Sequence, residues 1–216
     1  MEKERKIKVL SLVALIVAVL GLTVAFAALS QTLTINGTAS VNAAEWDVHF
    51  ENLDNEASAY GNASVNKEPV IEGNNITFAA TLTKPEDQVW FYVDLVNNGT
   101  INAEISSVEI SKLCTLQSSI ESCDWNNDGV VTQEDIEKVN DNLSFIVYYQ
   151  DNLAALKEKN KLNVNERRTI CVSLSYQKEI LSGPNKDHII SPATELPKRN
   201  LTFNDLSVTI NYVQAD

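Results

Sequence analysis

The amino-acid sequence predicts an all-β fold, an antiparallel sandwich of two sheets. Three observations lead to this prediction. Short segments in which apolar and polar residues alternate recur along most of the chain, as expected for strands that bury one face. Turn-forming residues such as Asn97-Asn98-Gly99 separate these segments. The chain also lacks the regularly spaced helices that would connect neighbouring strands of a parallel sheet.

The N-terminal region precedes this pattern and has the composition of an export segment. A basic start is followed by residues 9–29, which carry no charged side chain. Ala25-Phe26-Ala27 has the small-x-small spacing of a signal peptidase site, which places cleavage before Ala28. The uncharged stretch is also long enough to span a bilayer, so an uncleaved anchor and a pilin-type filament helix remain alternatives. We therefore assign residues 1–27 to an export signal or membrane anchor and residues 28–216 to the sandwich domain.

Eight alternating segments of the remaining chain are predicted to form strands, namely 33–41, 46–50, 75–82, 88–96, 101–110, 143–149, 169–176 and 206–213. Their large apolar residues should lie between the two sheets, since side chains at every second position share a face. The expected core residues are Trp46, Phe50, Phe78, Phe91, Val93, Phe145, Val147, Leu174 and Val208. Residues 152–160 contain good helix formers and are predicted to form a short surface helix.

Residues 111–142 interrupt the alternation and contain the most chemically specific motif of the chain. Within 124–135, positions 1, 3, 5 and 12 carry oxygen-bearing side chains, and Gly129 at position 6 permits a sharp turn. This is the pattern of an EF-hand calcium loop, with Asp instead of Glu at the last position. The predicted Ca²⁺ ligands are the side chains of Asp124, Asn126, Asp128 and Asp135, the carbonyl of Val130 and, through water, Thr132. The alternative is a degenerate loop that only turns the chain before a helix over 133–140.

Charge and histidine content exclude several classes of function. The net charge of −12 leaves no basic face for a nucleic acid. His49 and His188 are the only histidines, and without an H-E-x-x-H motif the ligands of a zinc hydrolase are missing. No nucleophile motif or phosphate-binding loop occurs, although a pair of catalytic carboxylates cannot be recognised from sequence alone. We expect a protein without enzymatic activity whose only cofactor is Ca²⁺.

The three cysteines leave two interpretations open. Cys114 and Cys123 are close in sequence, and a bridge between them would form outside the cytoplasm. Three buried thiols that behave as small apolar side chains are the alternative, because the number is odd. Cys171 lies in a strand-like segment, and the chain has no C-x-x-C pair that would indicate a zinc or redox motif.

Three stretches together resemble the TasA/camelysin family of secreted bacterial matrix proteins. They are the export segment running into Leu29-Ser30-Gln31-Thr32-Leu33-Thr34-Ile35, the stretch 82–103 with its Lys84-Pro85-Glu86-Asp87 turn, and the closing strand 206–213. The family favours Gly after the Pro of this turn, where this chain has Glu86. The resemblance implies a jelly-roll sandwich at the cell surface. It also implies assembly into fibres, in which each subunit donates an N-terminal strand to the next.

The freed segment 28–41 suits such a donor strand, with apolar residues at Leu29, Leu33 and Ile35. Such a strand would pair with an open sheet edge of another copy by β-augmentation. An ordinary first strand within one molecule is the alternative. We therefore expect an exported structural protein of extracellular fibres or biofilm matrix, whose partners are copies of itself and other matrix proteins. Contact with a membrane is expected only through residues 9–29.

The second expected function is a surface-anchored binding module or adhesin that works as a monomer. The calcium loop also resembles half of a dockerin, a module that docks into a cohesin partner. Dockerins need two such loops, and this chain has one.

Overall fold

The computed structural model describes residues 2–29, 44–54, 56–182 and 187–215. The chain divides into two units, Met1–Asn42 and Ala43–Asp216. In the first unit, helix α1 (Glu2–Leu29) forms from a segment without proline that is rich in Leu, Ala and other residues compatible with helix. No helix in the described part of the chain is long and apolar enough to cross a membrane.

The second unit contains twelve described strands and two short helices. The strands are β1 (Val48–Glu51), β2 (Ser58–Tyr60), β3 (Ser64–Glu72), β4 (Asn75–Leu82), β5 (Gln88–Asn97), β6 (Ala103–Ile110), β7 (Ser144–Tyr149), β8 (Lys161–Leu162), β9 (Arg167–Ser175), β10 (Gln177–Ser182), β11 (Asp187–Pro192) and β12 (Leu201–Gln214). The helices α2 (Ile120–Cys123) and α3 (Gln133–Asn142) lie between β6 and β7, within the predicted insertion.

Two five-stranded antiparallel sheets form the body of this unit. The first has the order β1-β5-β9-β7, and β2 pairs with β5 beside β1. The second has the order β3-β4-β12-β6-β8, and β10 and β11 form a separate hairpin. All pairings of the named strands are antiparallel. The prediction of an all-β sandwich is therefore confirmed at the level of fold class.

The core lies between the two sheets and contains most of the residues expected there. On β5, Val89, Phe91, Val93 and Leu95 are at most 1% exposed, whereas Trp90 between them is half-buried. This is the period of two that the sequence predicts for a strand with one buried face. Of the other expected core residues, the buried ones are Phe50, Phe78, Val147, Leu174 and Val208, and Phe145 packs partly buried against them.

Trp46 was wrongly expected in the core, since it is 45% exposed. Burial decreases along this edge strand from Phe50 through the half-buried Val48 to Trp46, which precedes β1. The alternation therefore continues past the point where the opposite sheet covers the strand. The alternation of apolar and polar residues does not by itself show at which residue the opposite sheet stops covering a strand.

The predicted helix over 152–160 is also wrong. The structure has turns there, and Asn152 accepts a hydrogen bond from the backbone of Ala154 through its side chain. Leu153 and Lys159 have positive φ angles of 55° and 66°, which a helix does not tolerate. Pairing of this segment with β7, through the Tyr149 N–H and the Ala154 carbonyl at 2.9 Å, outweighs the weak helix propensity.

Five strands were not predicted, namely β2, β3, β8, β10 and β11. They are short, exposed or rich in charged residues, so the alternation is weak. His188, the second histidine, lies in β11. The strand predicted over 33–41 lies outside the described residues.

In the turn between β4 and β5, the residue after Pro85 has a backbone conformation that usually requires glycine. Glycine is also the residue that the TasA/camelysin family favours at this position. Glu86 has a φ of 74°, and Asp87 donates its backbone N–H to the Lys84 carbonyl at 3.2 Å. The buried Asp87 carboxylate accepts from the backbones of Asn62 at 2.7 Å and Thr83 at 2.7 Å. The turn is therefore held by the side chain that follows it and not by a glycine.

Candidate metal site and uncovered sheet edge

The predicted calcium loop ends in a helix whose start is defined by two of the predicted ligand residues. Thr132 is the N-cap of α3 and forms a capping box with Asp135. The Thr132 backbone N–H donates to Asp135 Oδ2 at 2.8 Å, and its hydroxyl donates to the same oxygen at 2.5 Å. Capping satisfies N–H groups that have no partner within the helix. The helix itself confirms the prediction over 133–140, because α3 runs from Gln133 to Asn142.

Asp124, at the first loop position, is fully buried and turns its carboxylate toward the loop backbone. Its Oδ1 accepts from the Asp128 N–H at 3.1 Å and its Oδ2 from the Gly129 N–H at 2.9 Å. Gly129 has a φ of 89°, a conformation that L side chains rarely adopt. The sharp turn expected from Gly129 is therefore present and brings these two N–H groups to Asp124.

Asp135, at the last loop position, closes the loop from the other end. Its Oδ1 accepts from the Trp125 N–H at 3.1 Å and from the Asn126 N–H at 3.4 Å. Burial raises the pKa of this carboxyl, but its hydrogen bonds to Thr132, Asn126 and Trp125 outweigh burial and lower the pKa overall. Asp135 therefore remains ionised, as a metal ligand must.

The exposed half of the loop contains the remaining predicted ligands. Asn126 accepts the Asp128 N–H at 2.9 Å and donates its amide to Asp128 Oδ2 at 3.0 Å. Asp128 Oδ1 accepts the Val130 N–H at 2.9 Å. Val131 packs partly buried against the core, as expected for the apolar eighth position. The loop thus brings all of the predicted side-chain oxygens to one short segment.

The donor chemistry of the loop fits Ca²⁺, a hard cation that takes six to eight oxygen ligands. Among the described residues, however, no three Asp, Glu, His or Cys side chains converge in the way that a bound metal requires. Three carboxylates that converge without a cation would repel one another, and here they bind backbone N–H groups instead. The buried Asp124 is the clearest sign of fit, because it is a carboxylate that needs a positive charge nearby. Among the described residues only Arg199 supplies one, and its Nη1 lies 3.7 Å from Asp124 Oδ2, beyond hydrogen-bond distance.

A segment before β12 packs along the loop and α3, a contact that the sequence did not indicate. Lys198 donates its backbone N–H to the Trp125 carbonyl at 2.9 Å, and Asn142 Oδ1 accepts from the backbones of Thr194 and Glu195. The buried Trp125 also meets the ring of Tyr176 edge to face, with centroids 6.2 Å apart. No motif marks these residues, since their partners are distant in sequence.

The cysteines form one disulfide and one free thiol. Cys114 and Cys123 are bridged, with Cα atoms 5.6 Å apart, and the bridge lies directly before the loop. Cys171 is buried in β9, where burial raises the pKa of its thiol to about 11. The bridge therefore ties the first part of the insertion, and Cys171 behaves as a small apolar side chain.

A second polar cluster lies at the start of the first sheet. The His49 ring bonds Asp47 Oδ1 at 2.7 Å through Nδ1 and Glu51 Oε1 at 2.9 Å through Nε2. Arg167 pairs with Glu51 and, at 2.9 Å, with Asp94. The hydrogen bond to Glu51 is the main cause of the raised pKa of His49. Both ring nitrogens of His49 are thus hydrogen-bonded, as in a structural histidine.

One edge of the sandwich lacks a backbone partner among the described residues. The strand β8 pairs with Ala103 and Glu104, and the backbone of Lys159 and Asn160 bonds Ile105. Among the described residues, only positions 106–110 of β6 therefore pair with β12 alone. Among the described residues, the first residues of β7 pair through the backbone only with β9, although the Glu179 N–H of β10 donates to the Ser144 hydroxyl at 2.7 Å. The segment that follows β7 bonds it from Val147 onward. Between these two free edges lies a groove of about 440 Å³ whose lining includes Ile110, Leu113, Phe145, Ile146 and Lys178.

The opposite edge of the second sheet is protected. On β3, Lys67, Glu68 and Pro69 follow one another, and the register with β4 shifts between Val65 and Lys67 and between Lys67 and Val70. Charged residues, proline and bulges are the usual means by which a sheet edge avoids pairing with other chains. Among the described residues, β6 and β7 contain no proline and no such run of consecutive charged residues, although the pairing of β6 with β12 also has one register shift.

The residues predicted for export and strand donation are only partly described. Ala25, Ala27, Ala28 and Leu29 lie in the last turns of α1. Leu33 and Ile35 lie outside the described residues. The donor strand and the cleavage site therefore stay predictions.

Comparisons of the chain with protein-family models, with curated proteins and with solved structures found no match. The fold and the sites define the chain as an antiparallel β-sandwich with an N-terminal helix and an inserted, oxygen-rich loop.

Proposed function

We propose that this chain is an exported, non-enzymatic structural protein that assembles into extracellular fibres or matrix by N-terminal strand addition. The observation that carries the proposal is the uncovered edge between β6 and β7. Backbone N–H and C=O groups of positions 106–110, unpaired among the described residues, lie beside a groove that has both apolar residues, such as Ile110 and Ile146, and polar ones, such as Lys112 and Lys178. This arrangement provides both parts of strand recognition. The main chain supplies affinity, and the groove selects alternate side chains.

The occupant we propose is residues 28–41 of a second copy. This segment has apolar side chains at Leu33 and Ile35, which match the two-residue period of a strand that places one face in the groove. A donor and an acceptor at different places on one molecule make a head-to-tail contact that does not close, which produces a filament. A jelly-roll connection of the two sheets, as in the TasA/camelysin family, belongs to the same proposal.

Two further observations support export. The N-terminal helix α1 begins with basic residues and continues as an uncharged, apolar segment, the arrangement of an export signal. The Cys114–Cys123 bridge suits an oxidising compartment, because cytosolic reductants keep thiols reduced. We place the mature protein outside the cell or on its surface.

The calcium loop has a structural part in this proposal. Asp124, Asn126, Asp128 and Asp135 would hold the ion through side-chain oxygens, together with the Val130 carbonyl and a water on Thr132. A bound ion would order the insertion, which lies next to the groove through Leu113 and Asn140. The proposed role of the calcium ion is structural and not catalytic.

Concentration-dependent assembly tests the strand-addition proposal. The chain beginning at Ala28 should form fibres visible by electron microscopy as its concentration rises, and a variant without residues 28–35 should remain monomeric. Ile146→Lys, in the groove, should prevent assembly. Val70→Lys, on the protected edge strand β3, is the matched control and should leave it unchanged.

Two results would contradict the proposal. One is fibre formation by the deletion variant under the same conditions. The other is equal assembly of Ile146→Lys and Val70→Lys. A full-length chain that captures a specific partner but never polymerises would instead favour the monomeric binding module.

A further inference from the structure

Arg199 is the only cation paired with the calcium loop among the residues that the structure describes. Its Nη1 lies 3.7 Å from Asp124 Oδ2, while its side chain is 27% exposed and that of Asp124 is 1% exposed. The Nε of Arg199 is buried and has no hydrogen-bond partner within the described residues. The guanidinium therefore lies beside Asp124 but does not form a close, bidentate ion pair with it.

This placement has an electrostatic reason. A buried carboxylate is costly unless its charge is compensated, and the two backbone N–H groups on Asp124 compensate it only in part. Arg199 supplies the missing positive charge. It reaches the loop because Lys198, the residue before it, is hydrogen-bonded to the Trp125 carbonyl at 2.9 Å.

We propose that Arg199 is the internal counter-ion of the calcium loop, which holds Asp124 in place without metal and competes with Ca²⁺ for it. The inference rests on the proposed calcium site. A Ca²⁺ ion bound to Asp124 would lie within a few ångströms of the guanidinium, and two cations at that distance repel each other. Arg199 therefore lowers calcium affinity and turns away from Asp124 when the ion binds.

The competition links the loop to β12. Arg199 lies two residues before Leu201, the first residue of that strand, and β12 is the central strand of the second sheet. Its pairing partner β6 forms one side of the uncovered groove. Displacement of Arg199 by Ca²⁺ would therefore act first at the start of β12, which pairs there with β4 and reaches its pairing with β6 at Val208.

Calorimetry with CaCl₂ on the intact chain and three variants tests the proposal. Arg199→Gln removes the charge and should bind Ca²⁺ more tightly by about tenfold, from the repulsion between a single and a double charge. Arg199→Lys keeps the charge and should stay near the unmodified chain. Lys198→Gln removes a charge from the neighbouring exposed residue and is the matched control, with little expected change.

Hydrogen exchange at the Asp128 and Gly129 amides gives a second readout that does not depend on calcium binding. Without metal, both amides should exchange faster in Arg199→Gln than in Lys198→Gln. With saturating CaCl₂ the difference should disappear. Equal exchange in the two metal-free variants would show that Arg199 does not hold Asp124.

The outcomes separate this inference from the calcium proposal. If Arg199→Gln binds Ca²⁺ as strongly as the unmodified chain, or more weakly, the proposed competition by Arg199 is overturned. The proposed calcium site is not affected by that result. Binding only in Arg199→Gln supports strong competition. Absence of calcium heat in every protein at millimolar ion overturns both competition and the calcium site, while the exchange data still decide the counter-ion role.

Discussion

Phe78 of β4 and Phe91 of β5 meet edge to face across the interior of the sandwich, with ring centroids 5.1 Å apart. Both side chains are at most 1% exposed. The two strands follow one another in sequence but belong to different sheets. The pair therefore joins the two layers at the centre of the core, in a geometry that aromatic rings prefer.

Truncation of one of these rings should be severely destabilising. We expect Phe91→Ala to lower the free energy of unfolding by about 3–5 kcal/mol, because it removes a fully buried ring and leaves a cavity. Urea denaturation followed by tryptophan fluorescence measures the change. Trp90→Ala, on the half-buried face of the same strand, is the control and should cost less. A near-neutral effect of Phe91→Ala would contradict the assigned core.

Asp87 should be essential to the β4–β5 turn and a source of acid sensitivity. Its side chain accepts three backbone N–H bonds and the Thr83 hydroxyl, so Asp87→Ala should cost about 3 kcal/mol by leaving buried donors unpaired.

Burial raises the pKa of Asp87, but these hydrogen bonds outweigh burial and lower the pKa overall. Its stabilisation is therefore present above the unfolded-state pKa and is lost as pH falls through the folded-state value. Urea denaturation below pH 5 should show a shallower decline for Asp87→Asn than for the unmodified chain.

Glu86 should be replaceable by glycine with a gain in stability. Its φ of 74° places it in the left-handed region, which costs an ordinary residue roughly 1–2 kcal/mol. Glycine avoids this cost but loses more backbone entropy on folding, so Glu86→Gly should stabilise by about 0.5–1 kcal/mol. Thermal unfolding measures the difference, and Glu86→Ala is the control because it keeps a Cβ at the same φ. A lower melting temperature for the glycine variant than for the alanine variant would contradict the turn geometry.

His49 should make β1 more stable at low pH than at high pH. The hydrogen bond to Glu51 raises the pKa of His49 above its ordinary value, and the bond to Asp47 acts in the same direction. The histidine therefore stabilises fully below its unfolded-state pKa, and this contribution is lost as pH rises through the folded-state value. An NMR titration of the His49 ring should give a raised midpoint that decreases in Glu51→Gln. An unchanged midpoint in that variant would show that Glu51 is not the cause.

Asp124 should be required for calcium binding. Asp124→Ala removes the first ligand of the loop, so calorimetry should show the loss of a binding event whose dissociation constant is about 10⁻⁴–10⁻³ M, the usual range of extracellular sites. Asp141→Ala removes an equal charge from the exposed side of α3 and serves as the control. Absence of calcium heat in the unmodified chain at millimolar ion would exclude the site.

The sequence by itself determined the features that depend on neighbouring residues. Alternation placed β4, β5 and β7 within one or two residues of their bounds, because a strand with one buried face needs apolar side chains at every second position. The turn at Gly129 and the helix after Thr132 followed from local chemistry of the same kind. Exposed, charged strands such as β3 escaped prediction because their stability comes from partners and not from their own pattern.

Only the tertiary structure decided which distant groups meet. Arg167 reaches Asp94, 73 residues away, because β9 lies beside β5, and Arg199 reaches Asp124 because the segment before β12 packs on the inserted loop. The same packing decided that Trp46 lies beyond the core and that, within the part of the chain that the structure describes, positions 106–110 of β6 pair with β12 alone. The physical reason is that burial and ion pairing depend on distance in space, whereas a sequence pattern reports only the preferences of a strand, turn or helix for its own conformation.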